Sequence, residues 1–491
     1  MLSQAMREVD SKSLNRTTTA NGAPTFKSTL NANLDFYGHS GNINYPDLLS
    51  AFESAFQEDA DLALRNVLKM RDVRSGHGVR ENYRKVLAHL AKNHISVILE
   101  SNILQKTVEL GRWDDIYPLL RLEMPSIQRK IVKIVATELA KGAQNSLVAK
   151  WLPLNSRNSF DQAFMSQLRS YMKLTPKELR KLVVDQRKEL VEVKMSDRQF
   201  TSINYSHVPS RAMAVYRKAF RKHDPEGMAV FLEKAVKGEV KVNSATLYPH
   251  EVLRNVYNGS REDLALMEAQ WKNLPDFISG DMRILPMVDV SASMNTPAYD
   301  RFSCMSLSIA LGLYIAGRNK SFFKDLCLTF DTDPVFVDLS NFSSIEGRYK
   351  HLQGAPWGGS TDLVGAFEAI LELAVKSKAT EDEMPTHLIV LTDMQYDNRG
   401  DEMLMSKVKK MFKEAGYEMP KIIWWNLSSR YGNRTPVTKD KNGTALVSGS
   451  SPALLEAVLD SDLEQFTPMN VMLKDLGQDR YSVTYKGAKN G

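Results

Sequence analysis

The chain of 491 residues predicts a multidomain protein: an α-helical-repeat (HEAT-like) first half followed by a doubly wound, Rossmann-like α/β second half. Three observations lead there. From about residue 46 to 280 the apolar residues recur three and four apart, the period of helices with one buried stripe. After Arg283 short apolar or β-branched runs alternate with helical segments, as in a mainly parallel sheet. Charge changes at the same place: residues 1–280 carry 41 Lys and Arg against 31 Asp and Glu, whereas residues 281–491 carry 23 against 27.

Residues 1–23 are polar, lack the apolar stretch of a secretory signal, and read as a mobile arm. A helical domain is expected over 24–280. PDLLSAFESAFQ, DLALRNVLKM, NYRKVLAHLAKNH, SVILESNILQKTVEL and SIQRKIVKIVATELAKGA each place Leu, Ile, Val or Phe on one helical face. TPKELRKLVVDQRKEL carries its own start signal, with Thr175 as cap, Pro176 in the first turn and Glu178 closing a capping box. The α/β domain is expected over 281–491. Its strands are ILPMVDV, DLCLTF, THLIVLTD and KIIWWNL, and FSCMSLSIALGLYIAGRN, DLVGAFEAILELAVKS and MLMSKVKKMFKEAG are the helices between them.

Composition excludes several classes. With 43% hydrophobic and 25% charged residues the chain is ordinary globular protein. The longest apolar stretch, SLSIALGLYIAG, is too short to cross a bilayer, so no membrane span is expected. Cys304 and Cys327 suit small buried groups in a reducing compartment, and a cytoplasmic location is expected.

In ILPMVDVSASMN the apolar strand stops at Asp289, Ser291 and Ser293, three oxygen-bearing side chains at alternate positions. By itself this pattern reads equally as a helix cap or polar turn. Two further segments change the weighing: GAPWGGSTDL sets Thr361 after a Gly-rich loop, and LIVLTDMQYD sets Asp393 at the end of another strand. In doubly wound sheets ligands bind outside the carboxyl ends of the strands. Hard oxygen donors with one or two carboxylates suit Mg²⁺ or Mn²⁺.

Asp289, Ser291, Ser293, Thr361 and Asp393 resemble, one by one, the metal-ion-dependent adhesion site of von Willebrand factor A domains. That resemblance implies that the hydroxyls coordinate the ion directly, that the carboxylates bind it directly or through water, and that one position is left for an acidic group of a partner. A wider resemblance is carried by LRNVLKMRDVRSGHGVRENYRKVL, GRWDDIYPLL, AKWLPLNSRNS, KLTPKELRKLVVD, INYSHVPSRAM, LYPHEV, PWGGSTDL, LTDMQYD and TALVSGSSPALLEAVL. These stretches run from about residue 20 to 460 and are similar to the domain of unknown function 2828, a relative of the Ro or TROVE ribonucleoproteins. That kinship implies a ring or arc of helices that binds small noncoding or single-stranded RNA.

The residues offer two places for such a polyanion. RDVRSGHGVRENYRK gathers Arg71, Arg74, His77, Arg80, Arg84 and Lys85 around a glycine-containing turn, where they meet phosphate, or else Arg71 pairs with Asp72 or Glu81 and the glycines close a helix. Further on, Lys194, Arg198, Arg211, Arg217, Lys218, Arg221 and Lys222 are interleaved with Tyr205, His207 and Tyr216, half of which aromatics read as core. Trp113, Trp424 and Trp425 read as packing, and the pair His223 and Asp224 reads as a helix end. No P-loop, GxSxG elbow, HExxH or Cys-His nucleophile is present, so no enzyme is expected beyond a residual chance of metal-dependent phosphodiesterase chemistry. The sequence therefore predicts an RNA-binding or ribonucleoprotein scaffold. Its rival is a metal-dependent protein-interaction scaffold without RNA.

Overall fold

The computed structural model describes residues 14–237, 239–240, 242–244, 247–258, 261–278, 282–299, 302–330, 332–356, 361–397, 403–430, 432, 434–459 and 465–485. The Gly-rich loop at 357–360 and residues 1–13 of the expected arm lie outside them.

The chain divides into two compact units, and they differ from the linear cut expected at residue 280. One comprises Met1–Asn66, Ser75–His77 and Tyr248–Arg480, and the other Val67–Arg74, Gly78–Leu247 and Tyr481–Gly491. The α/β unit therefore takes in sequence from both sides of the cut. The reason is side-chain and backbone pairing: Arg318 donates to the carbonyls of Trp271 (2.9 Å) and Leu274 (3.3 Å), and Tyr314 donates to that of Pro275 (2.5 Å).

The same unit corrects the expectation of a mobile arm up to residue 23. Strands β1 (Arg16–Thr18) and β2 (Pro24–Phe26) form an antiparallel hairpin, and Ala23 is buried in the core beneath the main sheet. The strands of that sheet are β3 (Ile284–Asp289), β6 (Leu326–Phe330), β7 (Val335–Asp338), β8 (His387–Thr392), β9 (Lys421–Asn426) and β10 (Thr444–Ser448), after a small β4 (Pro297–Tyr299) and β5 (Phe302–Ser303) pair. Their order is β10-β9-β8-β3-β6-β7, all parallel except β6 with β7. The four expected strands are present. β7 and β10, of four and five residues, complete the sheet and were not among the strands expected.

Alternation along the strands supplies both faces of the sheet. Leu285, Met287, Leu388, Val390, Ile422, Trp424 and Leu446 pack on one face with the helices Leu363–Ser377 and Leu404–Ala415. On the opposite face Gly312, in the helix Cys304–Arg318, lies so close to β3 that a Cβ there would come 2.6 Å from Val288. Trp425 points away from Trp424 and donates its indole N–H to Gly449 O at 2.7 Å. Both tryptophans are buried packing groups, as expected. The helix Ala32–Ser40 ends against the carboxyl end of β10, where Gly41 N donates to Ser448 Oγ (3.1 Å) and Gly449 has φ +89 with Gly41 O 2.7 Å from where its Cβ would be.

The second unit is helical. Among its described elements are Glu81–Asn93, Ile103–Leu110, Pro125–Leu139, Ser159–Met172, Pro176–Arg187, Ser210–His223 and Pro225–Lys237. Their apolar stripes bury Val86, Leu90, Leu104, Ile131, Val135, Leu168, Leu179 and Phe220. The capping box expected at Thr175 is present in both directions, with Glu178 N donating to Thr175 Oγ1 at 3.3 Å and Thr175 N to Glu178 Oε2 at 2.7 Å. Tyr481, far along the chain, joins this unit by donating to Asp72 Oδ2 at 3.0 Å.

Candidate functional site

β3 and β8 are parallel neighbours at the centre of the sheet, and the chain runs outward from β3 to β6 and β7 on one side and outward from β8 to β9 and β10 on the other. That is the topological switch point at which such sheets open a crevice. The two strands end in Asp289 and, one residue past Thr392, Asp393. Both carboxylates are buried, at 0% and 1% exposure, as are Ser291 and Thr361 at 1% each.

The polar atoms here are held in order. Asp289 Oδ1 accepts from Ser291 N (3.0 Å), and its Oδ2 accepts from Thr392 Oγ1 (2.6 Å). The hydroxyls of Ser291 and Ser293 lie 3.1 Å apart. Asp393 Oδ1 accepts from Gln395 N at 3.1 Å, whereas its Oδ2 is buried without a hydrogen-bond partner among the described residues. Thr361 is tied to the loop after β8 in both directions: its N–H donates to Asp397 Oδ2 (2.6 Å), and Asp397 N donates to Thr361 O (3.0 Å). Asp362 then caps the helix Leu363–Ser377 through Gly365 N. The structure thus brings Asp289, Ser291, Ser293 and Asp393 together and anchors the backbone of Thr361 to the same loop.

Charge here is unbalanced. Burial, and next the neighbouring Asp393 charge, push the Asp289 carboxyl upward against the pull of its Thr392 and Ser291 hydrogen bonds. Burial pushes Asp393 upward too, offset in part by Gln395 N–H and the Ser293 hydroxyl. Two buried acids, neutral hydroxyls and one unpartnered carboxylate oxygen are a donor set that fits a hard divalent cation. Sequence reading missed Thr392, Gln395 and Asp397. Thr392 belongs to the apolar strand run by position, and only the register beside Asp289 shows its role.

The family profile described as "Domain of unknown function (DUF2828)" matches residues 19–146 and 157–280, more than half of the chain. The chain belongs to the DUF2828 family. A second profile, "Domain of unknown function (DUF7788)", matches residues 284–486 of this DUF2828 protein. "Uncharacterized protein L728" of Acanthamoeba polyphaga mimivirus is 28% identical over 503 residues, covering 93% of this chain and 86% of the relative. The crystal structure of the Deinococcus radiodurans RO (RSR) protein aligns over 88% of this chain and 91% of that chain, at 13% identity and a TM-score of 0.37. That superposition is too loose to carry any residue's role across.

In the arginine-rich turn of this DUF2828 protein the cations lie beside acids, the Glu81 expected as a partner and also Asp114 and Asp115. Arg71 is buried, and its Nε lies 2.7 Å from Asp115 Oδ2. Arg84 reaches Asp115 (3.0 Å) and Asp114 (3.2 Å). His77 is also buried, its ring filling the space where a Cβ on Gly41 would stand. Arg71 and His77 are held inside the fold and Arg84 is half-buried; the two arginines are met by acids of the WDD segment about 30 to 44 positions away, and Arg84 also lies 3.8 Å from Glu81. Phosphate has little access to them. Only Arg74, which is exposed, and Arg80, paired with Glu81 at 3.0 Å, keep accessible charge.

The middle region divides likewise. Lys194 pairs with Glu189 at 2.9 Å, and Arg198 is exposed at φ +58. Arg211 is exposed, while Arg217 and Arg221 are half-buried on the same helix. Tyr205 packs against Phe220 and Phe231 and donates to Asp224 Oδ2 at 2.9 Å, so it is core. His223 stacks on Phe200, and Asp224 accepts from Gly227 N at the start of the next helix, the helix boundary expected of this pair. What the helix Ser210–His223 leaves in solvent is a stripe of Arg211, Val215, Lys218 and Lys222, with no acid anywhere in the helix.

Proposed function

We propose that this chain is a scaffold whose α/β unit takes up Mg²⁺ or Mn²⁺ at the β3–β8 crevice and uses it to engage an acidic group of a partner. The observation that carries this reading is the buried Asp393 Oδ2, left without a partner among the described residues beside a second buried carboxylate. An unpaired buried charge is costly, and a cation is the counterpart that these donors suit. Asp289, Ser291, Ser293, Thr361 and Asp393 would hold the ion, and Thr392 and Gln395 fix the orientation of the two carboxylates. When bound, the ion supplies positive charge and a coordination position that a carboxylate from outside can fill. The resemblance to von Willebrand factor A adhesion sites supports the same reading. A thermal melt tests it: Mg²⁺ should raise the melting temperature of wild type by binding the folded state. Asp289→Ala should show no such rise. Equal rises in both would contradict the site.

A second reading, RNA binding by the helical unit, is favoured by a separate observation. The solvent stripe presents Lys218 and Lys222 one turn apart on a helix that carries no acid, a surface suited to the phosphates of small noncoding or single-stranded RNA. Kinship with the Ro ribonucleoproteins, read from the sequence, supports this reading. Binding of labelled RNA that weakens steeply with salt, and weakens further in Lys218→Glu with Lys222→Glu, would uphold it. Salt-independent binding, or none at low ionic strength, would leave the protein-interaction scaffold.

A further inference from the structure

We propose that the N-terminal hairpin is a strap that positions the Asp393 loop for its cation. This inference rests on the cation site proposed above. The hairpin's contacts converge on the two residues Gln395 and Tyr396. Ala20 N donates to Gln395 Oε1 (2.6 Å), Asn21 Nδ2 donates to Gln395 O (2.6 Å), and Thr19 Oγ1 donates to Tyr396 O (3.0 Å). Gln395 in turn gives its backbone N–H to Asp393 Oδ1, so one residue links the hairpin tip to the carboxylate that would meet the ion.

Between them stands Met394, with φ +65. A methionine rarely adopts the left-handed region, and such a conformation persists only where the surroundings over-determine it. Here they do. Met394 N donates to Thr392 Oγ1 on one side, and Gln395 is gripped from three directions on the other. The hairpin itself is rigidly founded. Thr19 and Ala23 close its turn (2.8 Å) around Gly22, which has φ +88. Thr25 Oγ1 donates to Thr435 O at 2.8 Å, and Phe26 exchanges two 3.0 Å backbone hydrogen bonds with the same Thr435. The strap is therefore tied to the segment after β9 at one end and to the loop after β8 at the other. Three contacts on consecutive residues beside a left-handed methionine fix the direction of the Asp393 side chain.

If the strap sets that direction, cation binding and strap order are coupled, and the coupling is reciprocal. The test uses the full chain and Mn²⁺ alone, followed by its electron paramagnetic resonance signal and by hydrogen exchange. Wild type should bind Mn²⁺ at one site, and the amides of residues 16–26 should exchange more slowly once it is bound. Thr19→Val with Asn21→Ala should bind Mn²⁺ about tenfold more weakly. A merely structural hairpin would lower the melting temperature in chelator and leave the Mn²⁺ affinity alone. Unchanged affinity in the double variant, or unchanged exchange of residues 16–26 in wild type on saturation, overturns the strap while leaving the cation site standing. Failure of wild type to bind Mn²⁺ at all overturns the cation site, and the strap with it.

Discussion

The crevice at β3 and β8 and the turn at Arg71–Arg84 are both clusters of buried charge, and they differ in one respect. In the turn the cations have acids beside them: buried Arg71 and half-buried Arg84 meet Asp114 and Asp115 within the same unit, although Arg71 Nη1 itself has no hydrogen-bond partner among the described residues. In the crevice two carboxylates face each other with hydroxyls and backbone amides for company, and Asp393 Oδ2 faces no partner among the described residues. Charge that is met by opposite charge serves the fold. Charge left over points outward, to something the chain alone does not contain.

The largest effect that would sharpen this contrast is the loss of a balancing acid. Asp115→Ala strands Arg71, whose side chain is 2% exposed, and removing one partner of a buried pair costs about 3–5 kcal/mol. Urea denaturation should report a loss of that size. Asp393→Asn, which relieves a like-charge pair, should leave stability in chelator unchanged or raised. Equal destabilisation by the two would erase the distinction between the clusters.

A second effect concerns a buried group that carries no charge. His39 is enclosed by Tyr45, Ser429 and Asn426, and burial lowers its pKa from 6.5 to about 4. Burial, and next Lys421, lower His387 to about 4 as well. Between about pH 6.5 and pH 4 the unfolded chain therefore binds protons that the native state excludes. Stability is complete above that window and falls as pH falls through it, by up to about 3 kcal/mol per histidine. His39→Gln should flatten the slope of denaturation midpoint against pH over that window; an unaltered slope would contradict it.

Smaller effects separate the two proposed activities. Lys218→Glu with Lys222→Glu should lower RNA affinity and flatten its dependence on salt, by about 0.7 log unit per log unit of salt for each phosphate no longer neutralised. Arg71→Met, lying behind the surface, should leave the salt slope alone. Thr361→Ala should weaken capture of an acidic partner and leave RNA affinity within error, because the two surfaces share no residue. A salt slope that responds to Thr361→Ala would tie the cation to RNA instead.

How much of this was legible in the sequence follows from the range of the signals. The helical period, the strand runs and the Thr175 capping box are local and were readable, as was the end of an apolar strand in Asp289, Ser291 and Ser293. The fate of the arginines was not. Whether Arg71 meets phosphate or an internal acid depends on Asp115, 44 positions away, and local pattern offered only Asp72 and Glu81 as partners. The hairpin was hidden for the same reason: its partners Gln395 and Tyr396 lie more than 370 residues further along, while its own polar composition reads as a free arm. The four-residue β7 sits at the lower limit of the length over which alternation marks a strand.

The most direct measurement is an isothermal titration of Mg²⁺ into the full chain, comparing wild type with Asp393→Asn and with Arg74→Ala. One saturable site in wild type and in Arg74→Ala, with no binding in the folded Asp393→Asn protein, is the expected result. Binding by Asp393→Asn equal to wild type, or none by wild type, would contradict the assignment of the leftover carboxylate to a cation.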